Sequence, residues 1–228
     1  MTLQERVLGT PTPLGWPVDK LHRVFRVRRG LKNVGMKETN LLSLSYGRII
    51  RKDITTADGL LPESFESYQI VEPGNIVMRL TDLQNDKKSL RQGLVTEKGI
   101  ITSAYDALEL TKGNDPTFWF YTLLAFDLAK YYYSLGGGVR QSIKFTDFPN
   151  DWVSKPDLAT QRRIADFLDR ETARIDKAIA CIAGRGADKN APEGTLLHLL
   201  AEKRSALITA AVTGQIDVGP SMGSVTPA

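Results

Sequence analysis

Two Arg-Gln pairs stand in glycine-bounded segments of this chain. Arg91 and Gln92 lie in SLRQGLV (89–95), and Arg140 and Gln141 lie in GGGVRQSIKF (136–145), where Ser142 and Lys144 follow. Arginine suits two-pronged hydrogen bonding to guanine O6 and N7, and glutamine does the same for adenine N6 and N7. Placed at turns on a sheet edge, such side chains could read base edges. A second candidate is electrostatic. Between residues 19 and 52 there are ten Lys or Arg against the two acids Asp19 and Glu38, a local charge of +8 in a chain whose net charge is +4. That asymmetry fits a polyanion, because each neutralised phosphate releases condensed counterions. Arg26, Arg28, Arg29 and Lys32 are the core of this strip; the plainer reading is a solvated surface whose cations find partners within the fold.

Other chemistries lack their residues. A phosphate-cradling loop needs lysine and a hydroxyl residue at fixed offsets from its glycines, and Gly136 to Gly138 offers neither. No Pro-Pro pair exists to build the amino-group loop of a base methyltransferase. Only Asp86 with Lys88 has the acid-x-Lys spacing of a metal-dependent nuclease, and the Pro156–Asp157 pair follows it instead of preceding it. The two histidines, His22 and His198, stand beside no nucleophile elbow, and with Cys181 as the one cysteine there is no metal-ligand spacing and no internal disulfide. No metal and no catalytic residue is expected in this chain. Neither a membrane-length apolar run nor a secretory leader is visible, so the expected location is the cytoplasm.

The elements that would position these residues can be read from pattern. The leading residues 1–15, with Pro11, Pro13 and Gly15, read as a loose, flexible segment. From Trp16 to Pro156, short β-branched and aromatic runs between turn signals predict strands, at LHRVFRVRRG, LLSLSYGRII, YQIVEPGNIVMRL with its Pro73–Gly74 turn, and GLVTEKGIITSAYDALEL. One helix interrupts them. After a cap at Asp115 and Pro116 at the first helical position, Phe118, Tyr121, Leu124, Leu128 and Tyr132 recur at helical spacing, which predicts an amphipathic helix packed on the sheet. Its aromatics could serve as a base-stacking platform, but an aromatic stripe at this period is more commonly core.

Beyond Pro156 the pattern becomes helical. A helix of about seven turns carries Ile164, Leu168, Ile175 and Ile182 near 3-4 spacing, with Glu171 interrupting. GRGADKNAPEG stops it, and a second helix from Thr195 to Gly214 puts Leu196, Leu200, Leu207 and Ala210 on one stripe. The two predict a helical hairpin, or helices that pair with another chain; the plainer alternative is a helical appendage folding back on its own domain. The fold class expected is α+β: a mainly-β domain with a packed helix at 16–156, a long-helix or coiled-coil spacer for dimerisation at 157–214, and a flexible tail at 215–228.

The order of segments resembles the specificity subunits of type I restriction-modification systems, from Trp16 to Val218. The resemblance is carried by a Trp-x-x-x-x-Leu start (Trp16 to Leu21), IVEPGNIVMRLTD (70–82), GIITSAY (99–105), GVRQSIKFTDF (138–148), and a Pro-led helix in KPDLATQRRIADFLDRETARIDKAI. It closes with EKRSALITAAVTGQIDV (202–218). QRRIADFLDRET and the closing segment are the specific matches. Thr160 stands where the family usually has Glu, leaving Asp157 to cap the helix, and the family helix runs on where this chain inserts its glycine- and proline-rich break.

The resemblance implies a target-recognition domain that inserts loops into the major groove of double-stranded DNA, with helices acting as a ruler. Within that scheme the expected DNA contacts are Arg26, Arg28, Arg29 and Lys32 of the basic strip, Arg79, and Arg91, Gln92, Arg140, Gln141, Ser142 and Lys144 of the Arg-Gln segments, and the expected helix interface is the apolar line Ile164, Leu168, Ile175, Ile182, Leu196, Leu200 and Leu207. The implied partners are methyltransferase subunits, which bind the S-adenosylmethionine that this chain does not, and restriction subunits. Family members carry two such repeats; with one, this chain would read half of a bipartite target and restore two-fold symmetry as a homodimer. Two other readings stay open, a helical assembly module that ignores DNA and a truncated subunit without a working partner. On the DNA reading, Arg140→Ala relaxes discrimination at one base position by about 1–3 kcal/mol, whereas Arg28→Ala weakens all sequences alike. Competition binding checks this: uniform weakening by Arg140→Ala would reassign that residue to phosphate.

Overall fold

A computed structural model describes residues 1–13, 15–28, 31–54, 64–86, 90–135, 142–183 and 194–218. Its elements run α1 (Leu3–Leu8), β1 (Val18–Lys20), α2 (Leu21–Val24), β2 (Phe25–Val27), β3 (Leu41–Ser45), β4 (Arg48–Lys52), β5 (Gln69–Val71), β6 (Ile76–Met78), β7 (Gln92–Leu94), β8 (Gly99–Ile101) and β9 (Asp106–Leu110). They continue with α3 (Pro116–Leu128), β10 (Trp152–Ser154), α4 (Leu158–Ala183) and α5 (Leu196–Val212). The fold is mixed α+β, as the pattern predicts. Two four-stranded sheets have the orders β2-β9-β6-β7 and β4-β3-β8-β5, and β1 pairs with β10 as a separate ribbon. All pairings are antiparallel except β3 with β8.

Side-chain alternation stacks the layers. On β6, Ile76 and Met78 face the helices while Val77 faces the second sheet, where it meets Leu42, Val71 and Ile101. A period of two is what lets one strand serve two cores. The Pro73–Gly74 turn forms as expected, with Gly74 at φ 88°. Yet it joins strands of different sheets, so it is a corner and not a hairpin.

The helix α3 starts where the sequence places it. Asp115 accepts a hydrogen bond from the Phe118 amide at 2.9 Å, and Pro116 occupies the first turn. The expected amphipathic stripe gives way to burial on nearly all sides. Phe118, Trp119, Tyr121, Leu123, Leu124, Ala125 and Phe126 are all buried, because the sheet covers one side of the helix while α4 and α5 cover others. Its aromatics are core, and Phe25 packs edge-on to Trp119.

Polar contacts fix the tail helices to it. Gln161 is fully buried; its Oε1 accepts from the Asp115 amide at 2.8 Å and its Nε2 donates to the Pro156 carbonyl at 2.8 Å. Tyr121 donates to Asp169 at 2.8 Å and lies 3.0 Å from the Thr172 hydroxyl. Asp157 caps α4, accepting from the Thr160 amide at 2.9 Å. Farther out, Asp176 accepts from Arg204 at 2.9 Å, joining α4 to α5 as a packed pair.

Several expectations are corrected. Residues 1–15 are not loose throughout: α1 has a reciprocal cap between Thr2 and Glu5, and Leu3 and Gln4 are buried. LHRVFRVRRG begins as the short helix α2, not as a strand. On α4, Ile164, Leu168 and Ile175 are buried and Ile182 is half-buried. On α5 the buried line is Ile208, Ala211 and Val212; Leu200 and Leu207 are half-buried, and Leu196 is 59% exposed. The phase differs because α5 packs against both α3 and α4, so its buried line is set by the groove between two helices and not by a single seam. Residues 215–218 are also tied down, Gln215 donating to the Thr10 hydroxyl at 3.3 Å; a Cβ on Gly214, at φ 69°, would fall 2.5 Å from Pro13. The break at 184–193 and the tail from 219 onwards lie outside the described residues.

The first Arg-Gln pair points inwards. Arg91 is fully buried, its Nε donating to the Tyr133 hydroxyl at 3.1 Å, one Nη to the Thr81 carbonyl at 3.2 Å and the other to the Asp86 carbonyl. Gln92 is buried beside it. Neither side chain reaches solvent, so both are withdrawn as base contacts. The Arg91 amide donates to Asp127 Oδ2 at 2.7 Å, and burial pushes the Asp127 carboxyl up to about 6 against the counter-pull of that hydrogen bond and of Lys130 and Arg91.

Two measurements check these anchors. A folded pKa raised above the unfolded value means that the native state binds the proton more tightly, so this group's contribution to stability is fully present below about pH 4 and is lost as pH rises through 6. Moving from pH 7 to pH 5 should therefore stabilise the protein relative to Asp127→Asn by on the order of 1 kcal/mol, read by urea unfolding; equal pH profiles would contradict it. Gln161→Leu strands two backbone groups and should lower stability by about 1–3 kcal/mol with an unchanged m-value. An unaltered midpoint would contradict the clamp.

Candidate nucleic-acid interface

The turn between β8 and β9 is held from below. Gln69 on β5 donates to the carbonyls of Thr102 at 3.1 Å and Tyr105 at 2.7 Å. Two clefts open on either side of this turn. One, of about 200 Å³, has Ser103 facing Arg28, Lys32 and Ser67; the other, of about 80 Å³, has Ala104 facing Thr81, Ser142 and Lys144. Residues far apart in sequence are thus gathered around one four-residue turn.

Backbone hydrogen bonds support each wall. The Arg28 amide donates to the Ala107 carbonyl at 2.7 Å, extending β2 along β9, and Lys32 bridges to Gln69 on the other sheet. Opposite them, the Ile143 amide donates to the Leu80 carbonyl at 3.0 Å, the Lys144 amide to Asp147 at 2.8 Å and the Phe145 amide to Asp106 at 2.7 Å. Ile143 and Phe145 are buried while Ser142 and Lys144 are exposed, the alternation of an extended segment lying on a core. Backbone fixed in this way presents polar side chains without the entropy cost of ordering a loop at the moment of contact.

The sequence-predicted contacts separate into groups. Arg26, Lys32, Ser142 and Lys144 are exposed and have no ion-pair partner among the described residues. Arg28 lies mostly buried, 4.0 Å from Glu109, and Arg79 is half-buried, 3.9 Å from Asp86. Arg29, Arg140 and Gln141 lie outside the described residues. Sequence reasoning missed Ser67, Gln69 and Ser103, which carry no individual signal, and Glu109, which sits across the strand pair from Arg26.

Part of the basic strip is spent within the fold. Arg23 pairs with Asp19 at 3.7 Å, Arg48 with Asp176 at 3.5 Å, Arg51 with Glu97, and Lys20 lies 5.3 Å from the Trp152 ring centre. Exposed pairs of this kind contribute little to stability, but they reduce the charge offered to a partner. A larger cleft of about 390 Å³ lies between Trp16 and the start of α4. Its charges are used: Lys155 pairs with Asp19 at 3.4 Å, and Asp157 is the helix cap.

No protein-family model and no curated protein matches the chain. Among solved structures it is similar to the HsdS subunit from Thermoanaerobacter tengcongensis at 16% identity and a TM-score of 0.48, over 94% of this chain and 50% of that one. A structure from work on complex assembly and conformational transition of the type I R-M system is similar at 15% identity and a TM-score of 0.49, over 94% and 52%. A type I restriction-modification S subunit from M. genitalium is similar at 14% identity and a TM-score of 0.46, over 77% and 44%. The chain spans about half the length of these structures.

Proposed function

We propose that this chain is the DNA-reading subunit of a type I restriction-modification system, in which residues 16–156 recognise one half of a bipartite target and 157–214 form a helical spacer. The observation that carries this reading is the convergence on one small cleft of three segments on which the sequence resemblance rests. Thr81 comes from the first, Ala104 from the second, and Ser142 and Lys144 from the third. Lys32 and Arg26 extend the cationic surface beyond the turn. Arg140 and Gln141, directly before Ser142, are the proposed base readers, and the flanking cations take phosphates.

The helices supply the second half of the proposal. Leu196 and Leu199 are 59% and 51% exposed at the start of α5, and Ile182 near the end of α4 is half-buried. An apolar surface at the far end of a helix pair fits self-association, which would set two recognition domains about a two-fold axis and give a symmetric split target. The chemistry belongs to the partners: methyltransferase subunits carrying S-adenosylmethionine modify adenine, and restriction subunits cut. This chain contributes address, not catalysis.

One observation favours a different reading. With Arg23, Arg48 and Arg51 paired internally, the basic strip fits an ordinary surface and the exposed leucines fit a helical assembly module indifferent to DNA. Filter binding to duplex DNA at several salt concentrations separates the two. If four to five cations each neutralise a phosphate, log K falls with log salt at a slope of about −4. No binding, or a flat line, would contradict the DNA reading.

A further inference from the structure

The cleft on the Arg28 side of the turn differs in chemistry from its neighbour. Residues 28 and 32 attach to different sheets, so the cleft lies at the seam between them. Its rim is firm. Asn33 is fully buried, and its side chain both donates to the Glu38 carbonyl and accepts from the Glu38 amide at 2.9 Å, while its own amide donates to Tyr68 at 2.9 Å.

Within this frame Arg28 is poorly satisfied. Its side chain is 13% exposed, its Nε is buried with no hydrogen-bond partner among the described residues, and its ion pair to Glu109 spans 4.0 Å. Most buried donors find an acceptor, and one left without costs free energy that a better acceptor would return. A modest rotation towards the cleft would expose the Nε–H and one Nη–H side by side, the fork that matches two oxygens of a phosphate. The other polar groups there are the Lys32 ammonium and the hydroxyls of Ser67 and Ser103. The Gln69 amide nitrogen is already committed to two carbonyls.

We propose that this cleft seats one backbone phosphodiester of bound DNA, gripped by Arg28 and Lys32 with Ser67 and Ser103 as hydroxyl donors. The assignment rests on the DNA reading above and locates one of its contacts. Size and donor type favour a phosphate over a base. About 200 Å³ accommodates a tetrahedral anion, and the two cationic side chains, Arg28 and Lys32, with hydroxyls that can turn to donate, suit an anion better than the mixed donor and acceptor edge of a base. Glu109 is then a competitor. Its half-exposed carboxylate partly neutralises Arg28 in the free protein and must yield when the phosphate arrives. Two neighbouring substitutions therefore act in opposite directions, which general destabilisation cannot imitate.

The test has two arms. In the first, inorganic phosphate is titrated against chloride at matched ionic strength while the Arg28 Nε–H signal is followed by NMR. The expected result is a saturable shift in phosphate only, with a midpoint about 2- to 5-fold lower in Glu109→Gln and about as much higher in Lys32→Gln. In the second arm, duplexes carrying a neutral methylphosphonate at successive positions are bound by the wild type and by Arg28→Gln. One position should weaken the wild type about tenfold and Arg28→Gln clearly less, the remainder being the Lys32 contact, and Arg28→Gln should lower the salt slope by about one. Loss of DNA binding with a saturable phosphate shift would end the DNA reading while leaving an anion seat. DNA binding without any Arg28-dependent position, or Glu109→Gln and Arg28→Gln changing affinity in the same direction, would overturn the seat and leave the DNA reading intact.

Discussion

A helix buried on nearly every side constrains this whole molecule. The apolar length of α3 must be covered, and no single sheet can cover it, so the two tail helices are drawn in as walls. Ile164 and Leu168 from α4, with Ile208 and Val212 from α5, belong to the same core as Phe25, Ile76 and Met78 from the strands. Each such side chain contributes about 1.5–3 kcal/mol on burial. The change of character at Pro156 is a boundary in secondary structure and not in packing. Gln161, which ties the start of α4 to the start of α3, converts that packing into a fixed angle.

This coupling bears on the proposed role: helices could set a distance between DNA contacts only if their attachment to the clefts is rigid. The packed path runs from the clefts through β9 and β6 to α3, and from α3 through Tyr121 to Asp169 and Thr172 on α4. Arg91 serves the same end. By holding the Thr81 and Asp86 carbonyls and the Tyr133 hydroxyl together, it braces the wall of the smaller cleft from behind. Its charge is spent on architecture, as are those of Arg23, Arg48 and Arg51, and the cations left for a partner are fewer and closer together than the composition suggests.

Local signals in the sequence were reliable where local physics decides. Asp115 with Pro116, Asp157 ahead of α4, Thr195 and Gly214 around α5, and the Pro73–Gly74 turn all mark real ends. Questions settled by tertiary packing were not legible. Whether Arg91 faces solvent or core depends on residues more than thirty positions downstream, Asp127 on α3 and Tyr133 in the 3-10 turn that follows it. The phase of α5 depends on which groove receives it, so its apparent stripe of Leu196 and Leu200 gave way to Ile208, Ala211 and Val212. The order in α1 rests on a four-residue cap and on burial of Leu3 against the core, neither of which stands out in a polar, proline-rich beginning. Of the candidate interface, Lys32, Ser142 and Lys144 were readable from motif and charge; Ser67, Gln69 and Ser103 emerged only when the two sheets were seen to meet.

The decisive measurement for the proposed role is sequencing of methylated sites in DNA from cells that co-express this chain with the adenine methyltransferase subunit proposed as its partner. Adenine methylation is expected at one split motif whose two halves are inverted copies, absent when the chain is withheld. Methylation that is unchanged by the chain, or that falls at no defined motif, would contradict it.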